Sequence, residues 1–336
     1  MKIFAGVCML LGAFLGAGFV SGRELAFYFA RFGDNAIFNI FISMVVLFVC
    51  IIFFFMLSGY GGGFKDFSKV YFGKADKFVE LLLVISMLII CGSMLAGTYT
   101  LTQSVNINGT IGVTITLIVV GFVVFGNVKW ISKVNVILVP ILIGILLCAS
   151  IPIIDEWGVG NLSFDKGVIT GINYVLINMV SLGMFIINIG GMYSSREKWM
   201  ISLVTCIIIG IVMSIVVLAI MANNSVDNPM PILSLVEDSA VLCILAKISV
   251  YFGIFTSLIA NMHLVVEFGY KYVNNKLWVV FLTLLVSYIL SIIGFEIIVG
   301  YVYGIIGIIG LFIIVVVGIN FLIKTLHAKS SCREHL

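Results

Sequence analysis

Ten apolar stretches, each about as long as a membrane is thick, leave this chain few ways to fold. They run roughly 2–31, 36–59, 78–102, 110–126, 130–153, 169–194, 199–222, 239–267, 277–295 and 297–323, with short polar connections between them. A helix crosses the hydrocarbon core in about 20 residues, so each stretch reads as one span. Inside lipid every backbone N–H and C=O must be paired within the protein, which leaves helices and closed barrels. Runs such as Val45–Leu57 lack the two-residue alternation of barrel strands. The expectation is an all-α polytopic membrane protein of about ten transmembrane helices. Composition agrees, with 62% hydrophobic and 10% charged residues, against about half and a quarter in soluble domains. A soluble enzyme, a nucleic-acid binder and a disordered chain are thereby excluded. Seven cysteines without a C-x-x-C pair and three scattered histidines read as packing residues rather than a disulfide or zinc framework. Lys2 followed by an apolar run also mimics a signal peptide, but further spans follow it.

Lysine and arginine set the orientation. With ten spans both termini share a side. That side holds fourteen of the eighteen basic residues, the other holds Arg23, Arg31 and Lys166, and Lys247 falls inside span 8. Both termini are therefore expected in the cytoplasm, in a cell membrane. The outer connections carry acids instead, among them Asp155, Asp165 and Asp227, and sequons at Asn108, Asn161 and Asn223.

Ten spans divide into five and five, and an odd number inverts the second half. Residues 1–153 and 169–323 read as two inverted repeats, followed by a short cytoplasmic tail at 324–336. Such repeats place a solute site at mid-membrane, between helices that break. The first span of each half should carry the break. Span 1 has Gly12, Gly16, Gly18 and Gly22 within eleven residues, and span 6 has Asn178-Met-Val-Ser181-Leu182-Gly183, then Gly190 and Gly191. Each glycine weakens a helix by about 1 kcal/mol relative to alanine. The competing reading of these glycines is close helix packing, since Gly12 and Gly16 form G-x-x-x-G. For Gly300, Gly304, Gly307 and Gly310 in span 10, which lack polar company, packing is the expectation.

The ten-span layout and the breaks at Gly12–Gly18 and Ser181–Gly183 resemble the LeuT-fold transporters, the amino acid–polyamine–cation superfamily. Gly16-Ala-Gly-Phe-Val-Ser-Gly-Arg-Glu24, with the short chain, looks like the YkvI-like bacterial membrane proteins. The resemblance implies a 5+5 inverted repeat with broken helices 1 and 6. In sodium-coupled relatives it implies an ion between spans 1 and 8. Its ligands here would be carbonyls of Gly12, Leu15 and Gly253 and the hydroxyls of Thr256 and Ser257. Neutral oxygens suit a releasable hard cation, although hydroxyls in lipid also bond back to their own helix. Proton-coupled relatives carry a lysine on span 5 at that point, and here span 5 has only Lys133 at its inner end, which favours sodium. Substrate would meet Ala13, Gly16, Ala17 and Gly18 of span 1, and Ser181, Leu182 and Gly183 of span 6. Asn178 stands where relatives place a gating aromatic, and Ser93 or Tyr99 of span 3 would line the cavity. Glu24 and Lys247 are intramembrane charges, which are costly and mark pathways, so both are candidates for coupling. Lys247 can also snorkel to the outer surface, and Glu24 can pair with Arg23 or Lys247.

The function expected is sodium-coupled secondary transport of a small, amino acid-like solute by alternating access. A transporter-like receptor and a proton-coupled carrier are the alternatives. No enzyme motif occurs: there is no H-E-x-x-H, nucleophile elbow or carboxylate pair within a span. No cofactor beyond a coupling sodium ion is expected; the expected partners are the lipid bilayer and the solute, with no nucleic acid, and protein partners are left open.

Overall fold

In the computed structural model the described residues are 2–58, 69–125, 128–154 and 164–333, without the side chains of 128–132 and 324–333. Lys65, Asp155, Glu156 and the sequon at Asn161 lie outside them, as does the end of the tail. Among the described residues there are seven apolar helices long enough to cross a membrane and three shorter ones, Lys2–Phe14, Gly109–Val124 and Lys276–Ser291. Together they occupy the ten expected places, and no strand occurs among them. The chain is an all-α, multi-pass membrane protein.

Helix faces follow the solvent. On span 4 (Gly109–Val124) Ile111, Ile115, Ile118 and Phe122 form an exposed apolar stripe, while Val113, Thr116 and Val120 are buried. Spacings of three and four residues put the first set on one helical face. That face is apolar because lipid, not water, covers it. Span 2 (Ala36–Leu57) packs on span 6 (Lys166–Gly190), and span 10 (Tyr303–Arg333) packs on the same helix. Span 8 (Ala240–Tyr270) packs on span 3 (Asp76–Gln103) and span 5 (Val128–Ser150).

Span 1 lies at the centre, touching span 5, span 6, span 7 (Ser195–Ala222) and span 8. It is broken, as the glycines predict. Helix α1 (Lys2–Phe14) ends before Leu15 and Gly16, helix α2 (Ala17–Val20) follows, and helix α3 (Arg23–Tyr28) resumes after Ser21 and Gly22. Gly16 is extended, at φ −78° and ψ −177°. Its N–H turns back to the Phe14 carbonyl at 2.9 Å, so it cannot serve Gly12 as a regular helix would. Gly22 sits at φ +81°, a left-handed conformation that costs any other residue energy.

Span 6 departs from the expectation. It runs as one continuous α-helix from Lys166 to Gly190, with no break at Ser181–Gly183. The polar residues there support the helix: Asn178 Nδ2 donates to the Tyr174 carbonyl at 3.0 Å, and Ser181 Oγ turns toward the Asn178 carbonyl. Gly183 serves packing, because a Cβ there would lie 2.7 Å from the Phe54 ring of span 2. In span 10 the packing role holds for Gly307 against Asn173 and for Gly310 against Leu176, whereas Gly300 and Gly304 face open space.

Candidate functional site

The break in span 1 frees backbone groups in the middle of the bundle. With the Gly16 N–H diverted, the Gly12 carbonyl accepts instead from Ser257 Oγ of span 8, at 2.8 Å. Thr256 Oγ1 donates within its own helix, to the Gly253 carbonyl at 3.2 Å. No backbone hydrogen bond among the described residues reaches the Leu15 carbonyl. Span 8 comes this close because Gly253 has no side chain; a Cβ there would meet Val20 of α2 at 2.5 Å. The structure thus brings Gly12, Gly253, Thr256 and Ser257 together at a fully buried junction. All the groups offered are neutral oxygens, the donor set of a weakly held hard monovalent cation. An ion entering here would replace the Ser257–Gly12 hydrogen bond.

Asn135 of span 5 was missed in the sequence. It is 1% exposed, and neither its Nδ2 nor its Oδ1 has a hydrogen-bond partner among the described residues. Its amide lies directly on Gly12, where a Cβ would be 2.6 Å from Cγ and 2.9 Å from Oδ1. An amide buried without partners is costly, so its place beside the freed carbonyls is informative. The signal was available: Asn135 is a lone amide in an apolar span.

Of the expected substrate residues, Ala13, Gly16, Ala17 and Gly18 lie at or beside the break in span 1, and Asn178, Ser181, Leu182 and Gly183 lie on span 6. The two spans pack together. Ala13 at 8% and Ser181 at 6% keep a little surface in a core where Leu182 and Phe14 have almost none. Because span 6 is unbroken, the backbone at Ser181, Leu182 and Gly183 stays within the helix and offers no freed groups. Tyr174, one turn before Asn178, is the aromatic residue at this level. Its ring meets Phe14 at 5.8 Å, Tyr28 at 5.3 Å and Phe29 at 5.5 Å between centroids. Ser93 of span 3 is fully buried and faces Tyr303. Tyr99 is not at this site: it is 41% exposed, packs on Gly109 and accepts from Gln103 Nε2 at 3.3 Å.

The two coupling candidates part company. Lys247 reaches outward, and its Nζ donates to the Ser104 carbonyl at 3.0 Å in the connection after span 3. It does not approach the break, which is the snorkelling outcome. Glu24 is buried, at 5% exposure, and its carboxyl lies against Gly18 so closely that a Cβ at 18 would overlap it. It pairs neither with Lys247 nor with Arg23, whose Nη1 donates to the carbonyls of Asp227 and Asn228 at 3.2 and 3.1 Å.

Two further polar clusters sit near the membrane faces. Glu80 of span 3 accepts from Lys271 Nζ and from Tyr272 Oη, both at 2.6 Å. That hydrogen bond to the carboxylate, with some desolvation, pushes the Tyr272 phenol up to about 12. Glu267 meets His263 Nε2 at 3.2 Å and accepts from Asn188 Nδ2 at 2.8 Å, tying span 8 to span 6.

No protein-family model matches the sequence, and no curated protein matches it. Solved structures do. A crystal structure of MhsT in complex with L-phenylalanine matches with a TM-score of 0.62 at 14% identity, over 91% of this chain and 87% of that one. The substrate-bound, outward-open state of a Na+-coupled sialic acid symporter matches with a TM-score of 0.65 at 12% identity, over 91% of this chain and 76% of that one. Identities this low speak to architecture alone, and the architecture is that of the LeuT-fold membrane transporters.

Proposed function

We propose that this protein is a secondary active transporter that couples a small, amino acid-like solute to sodium. The observation that carries the reading is the hydrogen bond from Ser257 of span 8 to the Gly12 carbonyl, freed by the break in span 1. The sodium ion would be held by carbonyls of Gly12, Leu15 and Gly253 with the Thr256 and Ser257 hydroxyls, beside the Asn135 amide that lies on Gly12. The ion would tie span 1 to span 8 while it is bound. Solute would lie beside it, against Ala13, Gly16, Ala17, Gly18, Asn178 and Ser181. Two of the fold's neighbours support the solute class by their ligands, L-phenylalanine and sialic acid. In this reading the chain lies in the cell membrane with both termini cytoplasmic, and residues 1–153 and 169–323 are the two inverted repeats.

The test is uptake into proteoliposomes of a panel of radiolabelled amino acids and sugar acids, under an inward sodium gradient and under a choline control. Sodium-driven accumulation of one solute class supports the reading. Saturable binding without accumulation would make the protein a receptor, and equal uptake in choline would remove sodium from the account.

A further inference from the structure

We propose that Glu24 is a proton-binding site of the transport pathway, neutral while it is buried as here and exchanging its proton with water when the pathway exposes it. The role in transport rests on the reading above; the protonation itself does not depend on the sodium site.

Three observations carry it. First, the carboxyl is buried inside a membrane protein, with no basic side chain against it among the described residues. Arg23 turns away to the carbonyls of Asp227 and Asn228, and Arg31 stacks on Phe27 with its guanidinium carbon 4.1 Å from the ring centroid. An ionised carboxylate without a partner or a countercharge is not tolerated in such surroundings, so the resting group is the acid. Second, the hydroxyl of Tyr174, a residue with no exposed surface, lacks a hydrogen-bond partner among the described residues. The Tyr174 hydroxyl lies next to the Glu24 carboxyl yet misses hydrogen-bond geometry. It is a donor held in reserve for the ionised form. Third, Glu24 is in contact with Gly18, at the break of span 1, the element whose rearrangement would open the site.

The titratable groups that face Glu24 are Tyr28 on its own helix, Tyr174 of span 6 and Tyr303 of span 10, with Cys91 of span 3 behind Tyr303. None is a base at neutral pH. The proton therefore passes between Glu24 and water, and the tyrosines keep theirs while donating to the carboxylate.

The experiment is infrared spectroscopy of the full-length protein in bilayers, titrated from acid to alkaline pH and repeated in deuterated water. A protonated-carboxyl band should persist at neutral pH, vanish in Glu24→Gln and shift on deuteration. Tyr174→Phe removes an unpaired hydroxyl, so the fold should survive while the band persists to higher pH. Ser257→Ala should leave the band unchanged, which separates this proposal from the sodium site. Absence of a Glu24-dependent band at neutral pH, a band that resists deuteration, or a Tyr174→Phe titration identical to wild type would each overturn it.

Discussion

Replacing Gly12 by alanine puts a methyl group where the Asn135 amide now lies. The new Cβ would be 2.6 Å from Asn135 Cγ and 2.9 Å from Oδ1, where ordinary contact begins near 3.4 Å. The amide must retreat by a large fraction of an ångström, in a core with little space to receive it. Overpacking of this size costs about 1–3 kcal/mol. Alanine in the helix returns about 0.5–1 kcal/mol relative to glycine, so the net loss is on the order of 1–2 kcal/mol. Asn135→Ala removes the obstacle together with an amide that has no partner. In that background Gly12→Ala should cost nothing, giving a coupling larger than ~0.5 kcal/mol. Thermal melts of the four proteins in sodium-free detergent buffer read this cycle. Equal costs with and without Asn135, or a Gly12→Ala protein as stable as wild type, would refute the contact and with it the placement of span 5 against the break.

Span 10 offers a matched pair. Gly310→Ala drives a methyl to 2.5 Å from the Leu176 backbone oxygen, which no side-chain rotation can relieve, and should lose about 1–3 kcal/mol. Gly304→Ala meets nothing within 4 Å and should be neutral or stabilise by up to ~1 kcal/mol; melting temperatures of the two variants decide. Lys271→Met removes the ammonium group 2.6 Å from Glu80, a carboxylate 3% exposed, and should lower stability by about 1–3 kcal/mol in the same assay. Asp165 caps span 6. Slight desolvation raises its pKa, but hydrogen bonds from the Asn35 side chain and the Gly167 backbone, with the Asn39 amide alongside, outweigh this and hold it below the ordinary aspartate range. A depressed carboxyl contributes stability above its unfolded value of about 3.9, and that contribution is lost as pH falls through the folded one. Asp165→Asn should therefore flatten the acid limb of a stability–pH curve, and an unchanged limb would contradict the cap.

Span number, span positions and the break in span 1 were legible because long apolar runs and clustered glycines act locally, through lipid and through backbone freedom. Span 6 was misread for a reason visible in Gly183: its neighbour, Phe54, is about 130 residues away in sequence, and only the fold brings that ring onto the glycine. A glycine that breaks and a glycine that packs look alike along the chain. Gly307 and Gly304 make the same point, since only the first faces span 6. Asn135 and Tyr174 went unweighted because each is a lone polar residue whose meaning depends on its neighbour having no bond to give. Lys247 and Glu24 were equal candidates in sequence. They separate once one is seen to reach the Ser104 carbonyl and the other to lie on Gly18.

The central claim is a sodium ion between span 1 and span 8, and its most direct measurement is the melting temperature of the purified protein in sodium against choline at equal ionic strength. An ion that binds only the folded state raises the midpoint in proportion to RT ln(1 + [Na+]/Kd). The account predicts a sodium-specific, saturable rise in wild type that is lost when Thr256 and Ser257 are both alanine and retained when Lys247 is. A melting temperature indifferent to sodium, or a rise that survives loss of both hydroxyls, would contradict it.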